Sequence, residues 1–283
     1  MGARTEGEMM AKVKSLHIGL NTVDPASYGA PYELKACEAD AHDMARIAEA
    51  RGATAKLLLT PDATCDAVVE AIKAAGSELE SGDLFFLTYS GHGGQVQDVD
   101  GDEEDDQLDE TWCLFDSQLR DDDINTALAS FVAGVRILML SDSCHSGTVS
   151  RGIALERDQK LDAEAAKQKR LPLDATKREF AQHAQQYHSR EVVPLSAVQA
   201  TGVLISGCRD NQTSQDGDVN GAFTAAFLSA WEDGAFEGNH SELHEAIAKT
   251  LKEQDYTQVP NLQTVAKADD AYEEFLAQRP LNI

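Results

Sequence analysis

Two apolar runs, each ending in small residues around a reactive side chain, constrain this chain more than anything else in it. Leu84-Phe-Phe-Leu87 is apolar at consecutive positions. A strand with one face in water alternates, whereas unbroken runs of this length are how strands buried on both faces of mostly parallel sheets read. The run passes through Thr88, Tyr89 and Ser90 into Gly91-His-Gly-Gly94, where glycines let the backbone turn and approach a ligand closely. Val135-Arg-Ile-Leu-Met-Leu140 is a second such run, ending in Ser141-Asp-Ser-Cys-His-Ser-Gly147. His92 and Cys144, fifty-two residues apart, therefore each stand just past a buried strand. Strand ends in open α/β sheets face the ligand crevice. If the two strands are neighbours, imidazole and thiol meet at one edge as a thiolate–imidazolium pair, an activated nucleophile.

The remaining pattern alternates strands with helices. Ser15–Asn21 and Ala55–Leu59 read as strands, with a loop at Tyr28–Tyr32 and a helix over Glu33–Ala50 closed by Gly52. Thr60-Pro61-Asp62 opens a second amphipathic helix. Thr111–Phe115 reads as a short extended piece, and Asp121-Asp-Asp123 precedes a helix over Ile124–Phe131, where acids suit the helix dipole. Arg151–Arg190 is rich in Ala, Gln and charged residues and has no convincing apolar stripe, so it reads as an exposed insertion between two parts of one sheet. The strand pattern resumes over Ala197–Cys208. Helices follow over Gly221–Trp231 and Ser241–Glu253, with a last strand over Pro260–Val265. This order predicts a doubly wound sheet. The expected organisation is a tail over 1–13, a region carrying His92 and Cys144 over 14–150, an insertion over 151–196, and a smaller region over 197–283 that completes the sheet.

Charge and cysteine usage exclude several classes. The net charge of −25 argues against nucleic acid, whose phosphates need clustered Lys and Arg. No run is long and apolar enough to span a membrane and no signal peptide is evident, so the expected setting is the cytoplasm. Five scattered cysteines without a CxxC pair argue against a disulfide framework or a zinc ribbon. Between Asp98 and Asp123 stand thirteen acids and one Arg. Such a segment is either a solvated loop or a site for calcium, a hard cation that prefers oxygen ligands. Asp98-Val-Asp-Gly-Asp102 is not an EF-hand, because Glu103 stands where that loop needs glycine.

Tyr89-Ser-Gly-His-Gly-Gly94 and Asp142-Ser-Cys-His-Ser-Gly147 together resemble the metacaspases, within the wider caspase-like cysteine peptidases. Ser206-Gly-Cys-Arg-Asp-Asn-Gln-Thr213 and Gly221-Ala-Phe-Thr224 resemble the smaller C-terminal part of that fold, and the likeness runs from about Lys14 to Val265. The resemblance implies a three-layer α/β fold, with a mostly parallel sheet of about six strands and helices on both faces. It implies a monomeric endopeptidase that cuts peptides and proteins after Arg or Lys, with His92 and Cys144 catalytic. The N–H groups of Gly93 and Cys144 would form the oxyanion hole. Asp142 and Asp40, flanked by Ser90 and Cys37, would line the pocket for the cationic side chain, which needs a carboxylate partner. Ala36 and Ala39 stand where the family has Gly and Asn. No cofactor is required for the chemistry. Calcium is implied as an activator held by Asp109, Asp121 and Asp122, although a further family Asp is Arg151 here, which repels the ion.

Plainer readings stand beside these. His145 adjoins Cys144, but neighbours on a turn point apart, which favours His92 as base. Cys37 also reads as packing. The basic residues of 151–190, among them Lys167, Lys169 and Arg170, would offer such an enzyme places to cut itself. A non-catalytic caspase-like binding module is the alternative function; such modules usually lose the His or the Cys, and this chain has both.

Overall fold

The computed structural model describes residues 11–97, 108–143, 168–208, 214–266 and 269–282. Its centre is a six-stranded sheet ordered β2-β1-β3-β7-β8-β9. β1 (Val13–Gly19), β2 (Thr54–Leu59), β3 (Leu84–Ser90), β7 (Arg136–Asp142) and β8 (Thr201–Ser206) pair in parallel, and β9 (Asn261–Thr264) pairs antiparallel with β8. The unbroken apolar runs are buried on both faces, as their pattern predicts. Phe85, Leu87, Ile137 and Met139 enter one core and Leu84, Phe86, Leu138 and Leu140 the other.

Helices cover both faces. The first core packs against α3 (Cys65–Glu78) and α4 (Asp121–Leu128) through Val68, Ile72, Ile124 and Leu128. The second packs against α2 (Cys37–Ala50), α6 (Ala222–Trp231) and α7 (His240–Glu253) through Met44, Phe227, Leu243 and Ile247. A short helix, α1 (Pro25–Tyr28), follows β1, and α8 (Asp270–Leu276) packs Phe275 into the second core. The acidic Asp121–Asp123 triplet lies inside the first turn of α4 rather than before it.

Two parts differ from the expected pattern. Of the expected extended piece Thr111–Phe115, Thr111–Cys113 belongs to a separate antiparallel sheet of β4 (Gly93–Gln97), β5 (Leu108–Cys113) and β6 (Gln118–Arg120), which leaves the main sheet just after His92. The C-terminal half of the supposed insertion is exposed on one side only. It forms α5 (Leu173–Ser189), which buries Ala175, Thr176, Glu179 and Tyr187. Polar residues line this helix's inner face, so apolar periodicity could not reveal it. The Tyr187 hydroxyl accepts from Gln118 N–H (3.0 Å) and faces the Glu179 carboxylate (2.9 Å), and Gln118 Nε2 donates to Glu179 (2.6 Å). Arg190 Nη1 pairs with Asp123 (2.7 Å), which also pairs with the fully buried Arg120.

Candidate active site

β1 has β2 on one side and β3 on the other, so the chain reverses its direction of winding there. A crevice opens at such a switch point beyond the carboxyl ends of the strands. The C-terminal ends of β1, β3 and β7 lie side by side at this crevice: Gly19 pairs with Ser90, and Ser90 with Asp142. Of the predicted site residues, Ser90, Asp142 and Asp40 meet here, with His92 two residues past Ser90.

His92 is the second residue past β3, on a turn fixed by Tyr89. The Tyr89 ring stacks on Trp112 with centroids 4.5 Å apart, and its hydroxyl lies 2.6 Å from His92 O and 3.1 Å from Cys113 O. A side chain on Gly91 would strike that hydroxyl, 2.6 Å from where its Cβ would sit. His92 Nε2 lies 2.8 Å from Tyr32 O. A carbonyl only accepts, so Nε2 carries the proton and Nδ1 holds a lone pair. Nδ1 is buried and has no hydrogen-bond partner among the described residues. Burial pushes the imidazole pKa down to about 4, against the Tyr32 bond, and a nearby ammonium, that of Lys169, adds to the depression. The ring is therefore neutral at pH 7. Tyr32 itself has left-handed backbone, with φ 43°, a conformation that costs a non-glycine residue energy and marks functional sites. This orienting carbonyl was not legible in the sequence, since a backbone atom leaves no signature of residue type.

On the neighbouring strand, Trp112 Nε1 donates to Ser141 Oγ (3.1 Å), and the Ser141 and Ser143 hydroxyls are bonded at 2.9 Å. Cys144 lies outside the described residues, as do Arg151 and the acidic stretch 98–107. The four described cysteines, Cys37, Cys65, Cys113 and Cys208, are buried and in no disulfide.

Asp40, Asp142 and Ser90 form one cluster. Asp40 enters from the first turn of α2 and Asp142 ends β7; both are buried. Asp40 accepts from Ser90 Oγ (2.7 Å), Gly221 N–H (3.0 Å) and Asn220 Nδ2 (3.0 Å). Asp142 accepts from Ser214 Oγ (2.5 Å) and Thr224 Oγ1 (3.1 Å). The cation between them is Lys169. Its Nζ lies 2.8 Å from Asp142, 3.0 Å from Asp40 and 2.8 Å from Ser90 Oγ, and the side chain is fully buried. Burial alone lowers an ammonium pKa, but Asp142 and Asp40 outweigh it and hold Lys169 well above its usual value. Burial raises Asp40, with Lys169 opposing and Asp142 reinforcing. Gly221 floors the pocket, where a Cβ would land on Lys169 Nζ and Asp142 Oδ2. Cys37, at the start of α2, lies behind the pocket, and burial pushes its thiol up to about 12, which suits packing rather than chemistry.

The acids expected to hold calcium are placed differently. Asp109, on β5, is buried with the Arg120 guanidinium 3.4 Å away; Asp121 and Asp122 open α4. Among the described residues, no group of three or more His, Cys, Asp or Glu is arranged to hold a metal ion. With Arg120 as its cation, Asp109 fits a resident calcium ion poorly. Also among the described residues, no helix is long and apolar enough to cross a membrane.

Residues 15–272 match the model of the caspase domain, peptidase C14. Metacaspase-1 of Kluyveromyces lactis is 30% identical over 254 residues, covering 77% of this chain and 57% of the relative. Metacaspase-1 of Schizosaccharomyces pombe is 29% identical over 295 residues, covering 89% of this chain and 67% of the relative. The chain thus spans between about half and two thirds of the length of these relatives. Among solved structures, a protein of Geobacter sulfurreducens superposes with a TM-score of 0.81 at 42% identity, covering 96% of this chain and 99% of that one. Caspase-1 of Spodoptera frugiperda superposes with a TM-score of 0.55 at 11% identity, covering 91% and 88%. That likeness concerns the fold alone.

Proposed function

This chain belongs to the peptidase C14 family of caspase domains, and we propose from that premise that it is a cysteine endopeptidase cleaving after Arg or Lys. One observation carries the substrate class. The pocket between β1, β3 and β7 has two buried carboxylates and a serine hydroxyl, and the group it accommodates is a side-chain cation. Buried carboxylates of this kind need a cationic partner.

The dyad reading is supported by register. β3 and β7 pair with an offset of 52 residues from Leu84↔Arg136 to Ser90↔Asp142, and the same offset separates His92 from Cys144. In the proposed mechanism, His92 Nδ1 takes the proton of the Cys144 thiol while Tyr32 O holds Nε2–H. The thiolate attacks the scissile carbonyl, whose oxygen is received by Gly93 and Cys144 N–H. His92 then delivers the proton to the leaving amine and later accepts one from the water that hydrolyses the thioester. No step runs through calcium; Asp109, Asp121 and Asp122 enter only as candidate holders of an activator. Four reduced thiols suit a reducing compartment. Self-processing within 151–190 is part of the same proposal.

The experiment is turnover of internally quenched peptides differing only in the residue before the cut. Arg and Lys peptides should be cleaved, Ala and Asp peptides not, and Cys144→Ala should abolish all turnover. Absence of cleavage by a folded wild-type chain, with or without calcium, would favour a non-catalytic module instead.

A further inference from the structure

Residues 168–171 cross this pocket with a bend at Lys169, bonded on both edges. Gln168 bridges Gln215 antiparallel, and Arg170 bridges Gly93 in parallel. Lys169 N–H donates to Ser214 O, Lys169 O accepts from Gly93 N–H, and Leu171 N–H donates to Gly93 O, each at 3.0 Å. Strand addition of this kind is how peptides are held by their main chain while alternate side chains enter pockets. The side chains alternate accordingly. Lys169 fills the acidic pocket, and Leu171, 2% exposed, packs with Val23, Tyr28 and Cys113 and against the partly buried Tyr32. Gln215, which Gln168 bridges, also lines a groove of about 590 Å³ together with Glu33, Asp216 and Asp218.

Two anchored side chains thus flank Arg170, with the Lys169–Arg170 and Arg170–Leu171 peptide bonds between them. We propose that this strap displays the register in which the site binds its substrates. In that register Lys169–Arg170 is the bond presented for attack, and the slot of Val23, Tyr28 and Cys113 is a subsite for an apolar side chain two residues beyond the cut. The bond assignment rests on the peptidase reading above; the slot and its occupancy rest on the geometry of residues 168–171 alone.

The register has a consequence for the reaction. Attack of the Cys144 thiolate on Lys169 carbonyl carbon breaks its bond to Arg170 nitrogen, and His92 supplies the proton that nitrogen needs. The new amine does not diffuse away, because Leu171 sits in the slot and α5 is tied down through Glu179 and Tyr187. It therefore competes with water for the thioester and reseals the bond. Water attack instead leaves a Lys169 carboxylate and the free thiol, with its proton passing to His92. Intact or nicked, the strap holds the cleft against external substrates, so peptides bind well only once it is displaced.

The test separates binding from chemistry. In a Cys144→Ala background, fluorescence anisotropy measures binding of a labelled Ala-Lys-Gln-Lys-Arg-Leu peptide and of the same peptide with Asp for Leu. Adding Leu171→Asp, which expels the strap from its slot, should tighten binding of the first peptide at least tenfold. The second peptide should bind at least tenfold more weakly than the first. Should Leu171→Asp melt early by circular dichroism, Lys169→Ala serves in its place. Equal binding with and without the strap substitution, or no preference between peptides, overturns the proposal. Mass spectrometry of incubated wild type should show new termini at Lys169 and Arg170. Cuts only at other bonds, while added Lys peptides are cleaved, overturn the bond assignment. A chain that cleaves no Arg or Lys peptide yet binds as expected defeats the endopeptidase reading and leaves the slot standing.

Discussion

Replacing Asp142 with asparagine keeps the shape of the pocket and removes half of its buried negative charge. Asparagine keeps one oxygen, which can still accept from Ser214, now 2.5 Å from Asp142 Oδ1, while its amide nitrogen replaces Oδ2, the oxygen that accepts from Thr224 at 3.1 Å. What it loses is the charged contact that the resident ammonium makes at 2.8 Å. Removing one member of a buried ion pair costs about 3–5 kcal/mol. Asp40 remains as a second carboxylate 3.0 Å from the same ammonium, so the lower figure applies. At about 1.4 kcal/mol per tenfold, a loss of about 3 kcal/mol is roughly a hundredfold fall in kcat/KM for Arg peptides. The assay compares Arg with citrulline, its uncharged isostere, before the cut. Wild type should prefer Arg by a large factor, and Asp142→Asn should collapse that preference by roughly a hundredfold. Circular dichroism checks folding, since the resident Lys169 loses the same partner. An Arg preference unchanged within threefold of wild type, in a folded variant, would refute the pocket assignment.

Three further outcomes follow from the site and core. His92→Gln should lower kcat by several orders of magnitude while leaving the strap in place, because the strap is bonded to Gly93, Ser214, Asp40, Asp142 and Ser90 rather than to the imidazole; retained turnover would move the base elsewhere. Trp112→Leu removes the ring on which Tyr89 stacks and the indole donor to Ser141; it should reduce kcat more than it raises KM, read from steady-state kinetics. Burial pushes His17 down to about 3, and His92 and His240 down to about 4. The unfolded chain binds these protons below about pH 6.5 and the native chain does not. The stability tied to their neutrality is thus present above pH 6.5 and lost as pH falls toward 4. Each histidine contributes about 2 kcal/mol to the loss between pH 7 and 5. Urea titrations at the two pH values should show the drop, and His17→Gln should shrink it by about one histidine's share.

The edge that carries the candidate site was legible because it depends on strands buried on both faces. Phe85 and Phe86 point to opposite cores and still form one apolar run, and that run with Val135–Leu140 located both strand ends. The offset between the motifs was readable as well, although only the pairing of Ser90 with Asp142 gives it meaning. What remained hidden was polar or backbone in nature. Tyr32 acts through its carbonyl. Lys169 lies in a charged tract whose composition reads as solvent-exposed, and it is buried only because Asp40 and Asp142 arrive from elements more than a hundred and about thirty positions before it in the chain. The inner face of α5 is built from Thr176, Glu179 and Tyr187, whose partner Gln118 lies on the small sheet, and Arg190 just past its end pairs with Asp123 of α4. Hydrophobic periodicity carries no record of such a face.

The central claim is that Cys144 is the nucleophile serving a cation pocket made by Asp40 and Asp142. It is tested most directly by incubating the chain with a peptidyl acyloxymethyl ketone bearing lysine before the warhead, and reading intact mass and modified peptides. The account predicts one adduct, on Cys144, lost in Cys144→Ala and formed about a hundredfold more slowly in Asp142→Asn. Adducts on Cys37, Cys65, Cys113 or Cys208, or labelling of Cys144 at the same rate by a reagent with alanine in place of lysine, would contradict it.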